Sequence, residues 1–364
     1  MTSICHITIV HKRYDVRIFH KECKSLSKTF EQVNLIVADG LGDEIKDGIN
    51  IYDIGKPKNR TDRFLKMSKR ALIKALEVQS NIYHLHDPEL LRIALKLKKS
   101  GAKVIFDSHE DLPRQIISKP YIPKFLRKPL AFFVEIFEDR IVKKIDGIIT
   151  ATPYIRDRFL KTNPNSIDIN NYPILNDIKF NKEWRNRTHS IGYIGGILKT
   201  RGIIETLDAI KGTDIKLILA GNISPKSFED ECRRHEGWRN VEYLGFLDRK
   251  GINELLSKVK IGMVILEATP SYIHSLPVKM FEYMAAGLPI IASDFPLWRK
   301  IIIESDCGIC VDQTNPSDIA KAITKLITDE DLLKQYGVNG RNATKEKFNW
   351  GIEEKKLIKF YKAL

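Results

Sequence analysis

Short apolar, β-branched runs alternate with segments of helical periodicity along this chain, and they do so twice. In the first half, residues 4–10, 33–38, 49–54, 82–85, 104–107 and 147–151 read as buried strands. Residues 21–30, 63–79, 89–100 and 127–144 lie between them and read as helices. The second half repeats the pattern, with strands at 190–194, 215–220, 241–244, 261–266, 289–293 and 309–311. Its helices fall at 203–210, 225–235, 250–257, 278–286, 317–328 and 330–336. Strand and helix in strict alternation predict parallel sheets covered on both faces, here an α/β chain of two Rossmann-like, doubly wound domains. The expected divisions are an N-terminal domain at 1–170, an interdomain segment at 171–189, a second domain at 190–345 and a helix at 346–364 packing back on the first domain. The stretch 163–190 supports that join, being rich in Asn, Asp and Pro with weak periodicity.

The formal net charge is +14 over 364 residues. That surplus points to an anionic partner, whether nucleic acid, an anionic membrane surface or a phosphorylated substrate. The longest apolar runs fall far short of the ~20 residues of a spanning helix. The opening MTSICHITIV reads as a first strand and not as a signal peptide. Five scattered cysteines point to a reducing compartment. Cys307 and Cys310 have redox-motif spacing, but they read as buried strand cysteines because no second pair accompanies them.

Ligands of open parallel sheets sit beyond the carboxyl ends of the strands, and with two such domains the expected place is a central cleft that both face. Two segments of the second half lie at such ends. Gly192-Tyr193-Ile194-Gly195-Gly196-Ile197-Leu198-Lys199-Thr200-Arg201-Gly202 leaves a strand and opens a helix. Small residues let a backbone approach a phosphate, and Lys199 and Arg201 add charge. The spacing matches neither the dinucleotide fingerprint nor a Walker loop, so a plain glycine turn with solvated cations stays open. The second segment runs from Leu276 to Ser293. Pro277 suits a helix start and Gly287 its end. Lys279 and Glu282, three residues apart, share a face. One reading has Lys279 reach a phosphate while Glu282 accepts from ribose hydroxyls; the other is a surface ion pair.

The string P-x-K-x-F-E-Y-M-A-x-G-x-P-x-x-A-S over 277–293 resembles family-4 glycosyltransferases of the GT-B fold, closest to bacterial enzymes of surface-polysaccharide synthesis. Neighbouring segments agree: 190–207, Leu219-Ala220-Gly221, Tyr243-Leu244-Gly245-Phe246-Leu247 and Asn170-Asn171-Tyr172-Pro173. The likeness is strongest from about 190 to 312. It implies sugar transfer from a nucleotide-diphosphate donor, UDP by family weight, with retention of configuration. No metal and no cofactor beyond that substrate are implied, and no D-x-D follows a strand. The resemblance assigns the nucleotide to Gly195, Gly196, Lys199, Arg201, Gly245, Leu276, Val278, Lys279 and Glu282. It assigns catalysis to His109, Lys199 and Arg201, whose cations would offset charge on the departing diphosphate. Where the family often carries a first glutamate, this chain has His274, which moves the donor-sugar contact to His274, Ser275 or adjacent backbone. His109, in Ser108-His109-Glu110-Asp111, resembles the residue that touches the donor sugar; a capping or core histidine is the alternative.

The acceptor, a saccharide or lipid-linked saccharide, is expected against Asp15, Arg17 and His86, the last within His84-Leu85-His86-Asp87-Pro88-Glu89. A solvated turn is the alternative for Asp15 and Arg17. His84 and His86 share a strand face, but the further His and Asp spacing of H-x-H metal sites is missing, so no metal site is expected. Residues 119–144 interleave seven basic residues with Phe125, Leu130, Phe132, Phe133 and Phe137, an arrangement suited to the anionic inner face of the cytoplasmic membrane. The expected location is therefore cytoplasmic, peripheral to that membrane. Two rival readings are a nucleotide-sugar epimerase of the same architecture and a basic nucleic-acid-binding protein. No aromatic-basic recognition motif supports the latter, and no nucleic-acid partner is expected.

Overall fold

The computed structural model describes residues 2–119, 121–181, 184 and 187–364. The chain divides into two compact units, Met1–Asn171 with Gly351–Leu364, and Tyr172–Trp350. Residues 182, 183, 185 and 186 of the expected interdomain segment lie outside the described residues.

The first unit holds an eight-stranded sheet ordered β3-β4-β2-β1-β5-β6-β7-β8. Its strands are β1 (Ser3–Ile7), β2 (Gln32–Val37), β3 (Glu44–Lys46), β4 (Ile49–Asp53), β5 (Ile82–Leu85), β6 (Lys103–Ser108), β7 (Gly147–Thr150) and β8 (Ser166–Asp168). All neighbours run parallel except β3, which pairs antiparallel with β4 across a tight turn. The strands are buried on both faces because helices cover both, so they read as continuous apolar runs. Order reverses between β1 and β5, which places a switch point at their carboxyl ends.

Several of the elements missed by periodicity are short. Strands β3 and β8 have three residues each, and helices Leu112–Ser118 and Pro153–Leu160 open at prolines in segments too short to show a period. The helix expected at 21–30 begins earlier, as a π-helical turn Val16–Cys23 capped by Asp15, whose side chain accepts from the N–H groups of Arg17 and Ile18. The final helix, Trp350–Lys362, gives the first unit Leu357, Phe360 and Tyr361, all buried.

The second unit carries a fully parallel six-stranded sheet, β11-β10-β9-β12-β13-β14. These are β9 (Ser190–Ile194), β10 (Lys216–Ala220), β11 (Val241–Gly245), β12 (Ile261–Val264), β13 (Ile290–Ser293) and β14 (Gly308–Val311). The helices of 203–210, 225–235 and 250–257 stand within a residue of expectation. Helix Pro296–Glu304 was not expected, and Glu330–Glu346 runs ten residues past its expected end. The switch point falls between β9 and β12. The five cysteines are all free thiols.

Candidate functional sites in the two units

At the carboxyl edge of the second sheet, three strands end in glycine. Gly195 follows β9, Gly221 follows β10 and Gly245 closes β11, all at positive φ. They are stitched together: the Gly195 N–H donates to Ala220 (3.0 Å) and the Gly221 N–H to Gly245 (2.7 Å). A Cβ on Gly221 would stand 1.8 Å from the Gly195 carbonyl oxygen, so only glycine permits this approach. A Cβ on Gly195 would meet only the end of Lys279, at 3.9 Å, and Gly196 and Gly245 have open space. The result is a bare backbone ledge with one lysine side chain beside it.

Helix Val278–Ala285 delivers that lysine. Pro277 precedes it, and Gly287 at φ +74° reverses the chain after it. Tyr283 locks the helix to the sheet: its hydroxyl accepts from the Ile194 N–H (2.9 Å) and donates to the Gly192 carbonyl (3.2 Å). Gly262 makes room for the Tyr283 ring. One turn earlier, the Lys279 side chain is buried, with Nζ 3.4 Å from the centroid of Tyr193. Nζ has no hydrogen-bond partner. Burial, reinforced by the charge of Arg201 and only partly opposed by Glu282, holds its pKa well below the usual lysine range. A desolvated amine left unpaired is costly, and an anion would satisfy it.

The ion pair between Lys279 and Glu282 that spacing allowed does not form. Glu282 takes Arg249 instead (2.6 Å), and Lys279 turns to Tyr193. Arg201 ends the short turn Lys199–Arg201; its guanidinium lies 5.3 Å from the Tyr272 ring and its buried Nε has no hydrogen-bond partner. Arg201 thus stays on the Lys279 side, whereas Lys199 does not: exposed, it pairs with Glu231 at 2.9 Å. Lys199 therefore departs from the phosphate-facing position expected for it. Gly202 (φ +63°), directly after Arg201, packs on Ile265 and turns the chain into the next helix. Leu276 is half-buried against the core and Val278 is the first helical residue. His274 and Ser275 lie in the half-buried turn before them, where Ser275 donates to the Tyr272 carbonyl (2.9 Å) and accepts from Trp298 Nε1 (2.6 Å). Sequence reasoning did not single out Tyr193, Arg249, Tyr272 or Tyr283. Tyr193 and Tyr283 stood inside the quoted motifs, but nothing in spacing shows that one receives Lys279 and the other anchors its helix.

In the first unit the expected residues also meet, but mostly inside. Registers β1–β5 and β5–β6 set His6 beside His84, and His84 beside Ile105, so His6, His84, His86 and Asp107 share one sheet face. His109 at the end of β6 is the outermost, half-buried, 3.1 Å from Asp107 Oδ2 and 3.2 Å from His86. His86 is fully buried and joined to His6 (2.8 Å). Arg17 is buried too: it makes two bonds to Asp107 (2.9 and 3.0 Å), one to the Ile169 carbonyl (2.7 Å) and an ion pair with Glu22 (3.1 Å). Asp15 caps its helix and faces His11 at 3.5 Å. Arg17 and His86 are thus spent on internal partners rather than facing an acceptor, because a parallel sheet's interior drives polar groups to pair. His6 and Glu22 were not foreseen; the signal was the register of β1 against β5.

No helix among the described residues is long and apolar enough to cross a membrane. Helix Lys124–Val142 nevertheless leaves Phe125, Leu126, Leu130, Phe132, Phe133 and Phe137 exposed.

Residues 176–343 match the family model described as glycosyl transferases group 1. A capsular polysaccharide biosynthesis glycosyltransferase of Staphylococcus aureus, CapM, is 26% identical over 186 residues, covering 48% of this chain and 46% of that protein. The chain spans between 44% and 63% of the length of the first curated relatives it matches. Among solved structures, a sucrose-phosphate synthase from Thermosynechococcus elongatus aligns with TM-score 0.80 at 16% identity, over 100% of this chain and 99% of that one. Anabaena HepE in complex with UDP-glucose aligns with TM-score 0.75 at 12% identity, over 100% of both chains. At such identities the structural likeness is one of fold.

Proposed function

We propose, from the match of residues 176–343 to the glycosyl transferases group 1 family model and the likeness of fold to solved glycosyltransferases, that the protein transfers a glycosyl group from a nucleotide-diphosphate sugar to a saccharide or lipid-linked saccharide. The observation that carries this reading is Lys279, a buried amine without a hydrogen-bond partner beside a bare glycine ledge. A diphosphate satisfies it. The ledge of Gly195, Gly196 and Gly245 lets phosphate oxygens come close, the amine and Arg201 offset their charge, and Glu282 accepts from the ribose diol one turn on. Fixed cations aimed at the leaving diphosphate lower the barrier where charge develops, which is the basis for a donor step needing no metal of its own. We assign retention of configuration, the acceptor hydroxyl approaching the face the diphosphate leaves, with a diphosphate oxygen taking its proton. In the first unit, His109 is the group suited to orient a sugar by hydrogen bonding. UDP is favoured because HepE, of like fold, binds UDP-glucose; a polysaccharide product is favoured by the likeness to CapM.

The anionic membrane surface belongs to the same reading. On helix Lys124–Val142 two of the three acidic residues are already engaged, Glu135 with Arg114 (2.7 Å) and Glu138 with Arg158 (3.0 Å), which leaves Asp139 as the third. Lys124 and Lys128 make no ion pair among the described residues, so the helix presents exposed phenylalanines with uncompensated cations.

A thermal-shift screen of nucleotide-diphosphate sugars tests the function. A bound donor at a hundredfold excess over its Kd adds ~2.7 kcal/mol. UDP-sugars are expected to raise the melting temperature, and Arg201→Ala and Glu282→Ala to cut that rise while circular dichroism stays unchanged. No shift with any nucleotide sugar, or equal shifts in both variants, contradicts the assignment.

A further inference from the structure

The first unit contains a second constellation that glycosyl transfer does not use. His6 on β1, His84 on β5, His86 just beyond β5 and Glu22 in the Val16–Cys23 turn are all fully buried, and one ligand atom from each lies within 4.8 Å of every other. The Glu22 Oε2 atom is 3.8 Å from His6 Nδ1, 3.8 Å from His84 Nδ1 and 3.9 Å from His86 Nε2. Ligands of a tetrahedral zinc ion at 2.0–2.1 Å stand roughly 3.4 Å apart. Three of these edges exceed that spacing by about half an ångström, while the His6–His86 edge, at 2.8 Å, is tighter. Glu22 is wholly buried: Oε1 pairs with Arg17 Nε at 3.1 Å, and Oε2 is turned to the three histidines.

The groups around His86 are arranged as they are around a ligating histidine. Ligating imidazoles usually turn their second nitrogen to a carboxylate or carbonyl. His86 turns Nδ1 to Asp107 Oδ2 at 3.5 Å; His84 Nε2 faces the same oxygen at 3.9 Å, beyond hydrogen-bond distance, and His6 Nε2 has no partner. Arg17 in turn holds Asp107 with two bonds and Glu22 Oε1 at 3.1 Å, leaving Oε2 to the histidines.

The geometry points to a closed transition-metal site, with zinc the default ion, held by His6, His84, His86 and Glu22 and serving to fasten the first unit. Three imidazoles and one carboxylate suit zinc, copper, nickel or iron(II) and not the hard cations. Zero exposure leaves no open position for substrate, so the role is structural. The Tyr361 hydroxyl, 2.7 Å from His84 Nδ1, must yield that bond or join the ligands when the ion enters, which ties the last helix to the same centre. None of this depends on the proposed transfer reaction.

The test is metal analysis of the full chain purified without chelators, followed by stripping with EDTA and reloading with Co(II). The site expects about one equivalent of transition metal per chain, and the intense visible bands of four-coordinate cobalt. Glu22→Gln and His84→Asn should each lower Co(II) affinity about tenfold or more, with His189→Ala, on an exposed residue, as the unchanged control. A folded wild-type chain that neither carries a metal nor takes up Co(II) overturns the proposal. So does a weak six-coordinate spectrum, or full binding retained in both Glu22→Gln and His84→Asn. The wild-type spectrum decides even where a variant fails to fold.

Discussion

Lys279 carries the largest energetic conflict in the second unit. Its amine is buried over Tyr193 with no counter-charge of its own, and a cation–π contact returns only about 0.5–2 kcal/mol. We therefore expect Lys279→Met, which keeps the chain length and discards the amine, to stabilise the ligand-free protein by about 1–2 kcal/mol while weakening nucleotide binding. Denaturant unfolding checks the first part; a loss of stability would mean the amine is already satisfied. The sign of the pH dependence follows. Because the folded pKa is depressed, the unfolded state binds more protons between that value and the ordinary ~10.4. Wild-type stability should rise with pH across that window relative to Lys279→Met, and a flat difference would contradict the assignment. At this scale the sequence shows which residue types are present, but not their partners. Lys279 and Glu282 stand three apart, as an ion pair would, and only the placement of Tyr193 and Arg249 separates them.

Elements position these residues, and each makes its own prediction. Tyr283 pins helix Val278–Ala285 to β9 through the Ile194 N–H. Tyr283→Phe leaves that buried donor unsatisfied, at about 1–3 kcal/mol, and loosens the helix that carries Lys279. Lower stability together with weaker nucleotide binding is expected; unchanged values for both would show the bond to be dispensable. On the first unit, Phe132→Ser combined with Phe133→Ser should reduce cosedimentation with phosphatidylglycerol vesicles about tenfold or more while leaving the melting temperature within a degree or two, since both rings are exposed. Equal sedimentation would remove the membrane from the account. The buried strands were legible because a parallel sheet covered on both faces writes them as unbroken apolar runs. The three-residue strands β3 and β8 and the proline-started helices at 112–118 and 153–160 are too short to carry a period, and the helix at 16–26 hid behind the polar string Arg17, His20, Lys21 and Glu22. A solvated turn was open for Arg17 because its partners Asp107 and Ile169 lie more than 85 positions away.

Across the whole molecule, each unit gathers its chemistry at the carboxyl ends of its strands around a reversal of strand order, the position this topology offers to ligands. The two collections differ in kind. The second unit's is basic and glycine-lined, with the Lys279 amine lacking a hydrogen-bond partner; the first unit's is a buried network of histidine, carboxylate and arginine. The measurement that bears most directly on the account is calorimetric titration of UDP into the wild type and Lys279→Met in two buffers of different ionisation enthalpy. Binding that draws a proton onto Lys279 makes wild-type heats depend on the buffer and gives an affinity that falls as pH rises above the amine's depressed pKa. Lys279→Met should lose about tenfold or more in affinity, worth ~1.4 kcal/mol, together with that share of the proton uptake. Equal affinity and equal proton uptake in the two proteins would contradict the claim that this lysine receives the diphosphate.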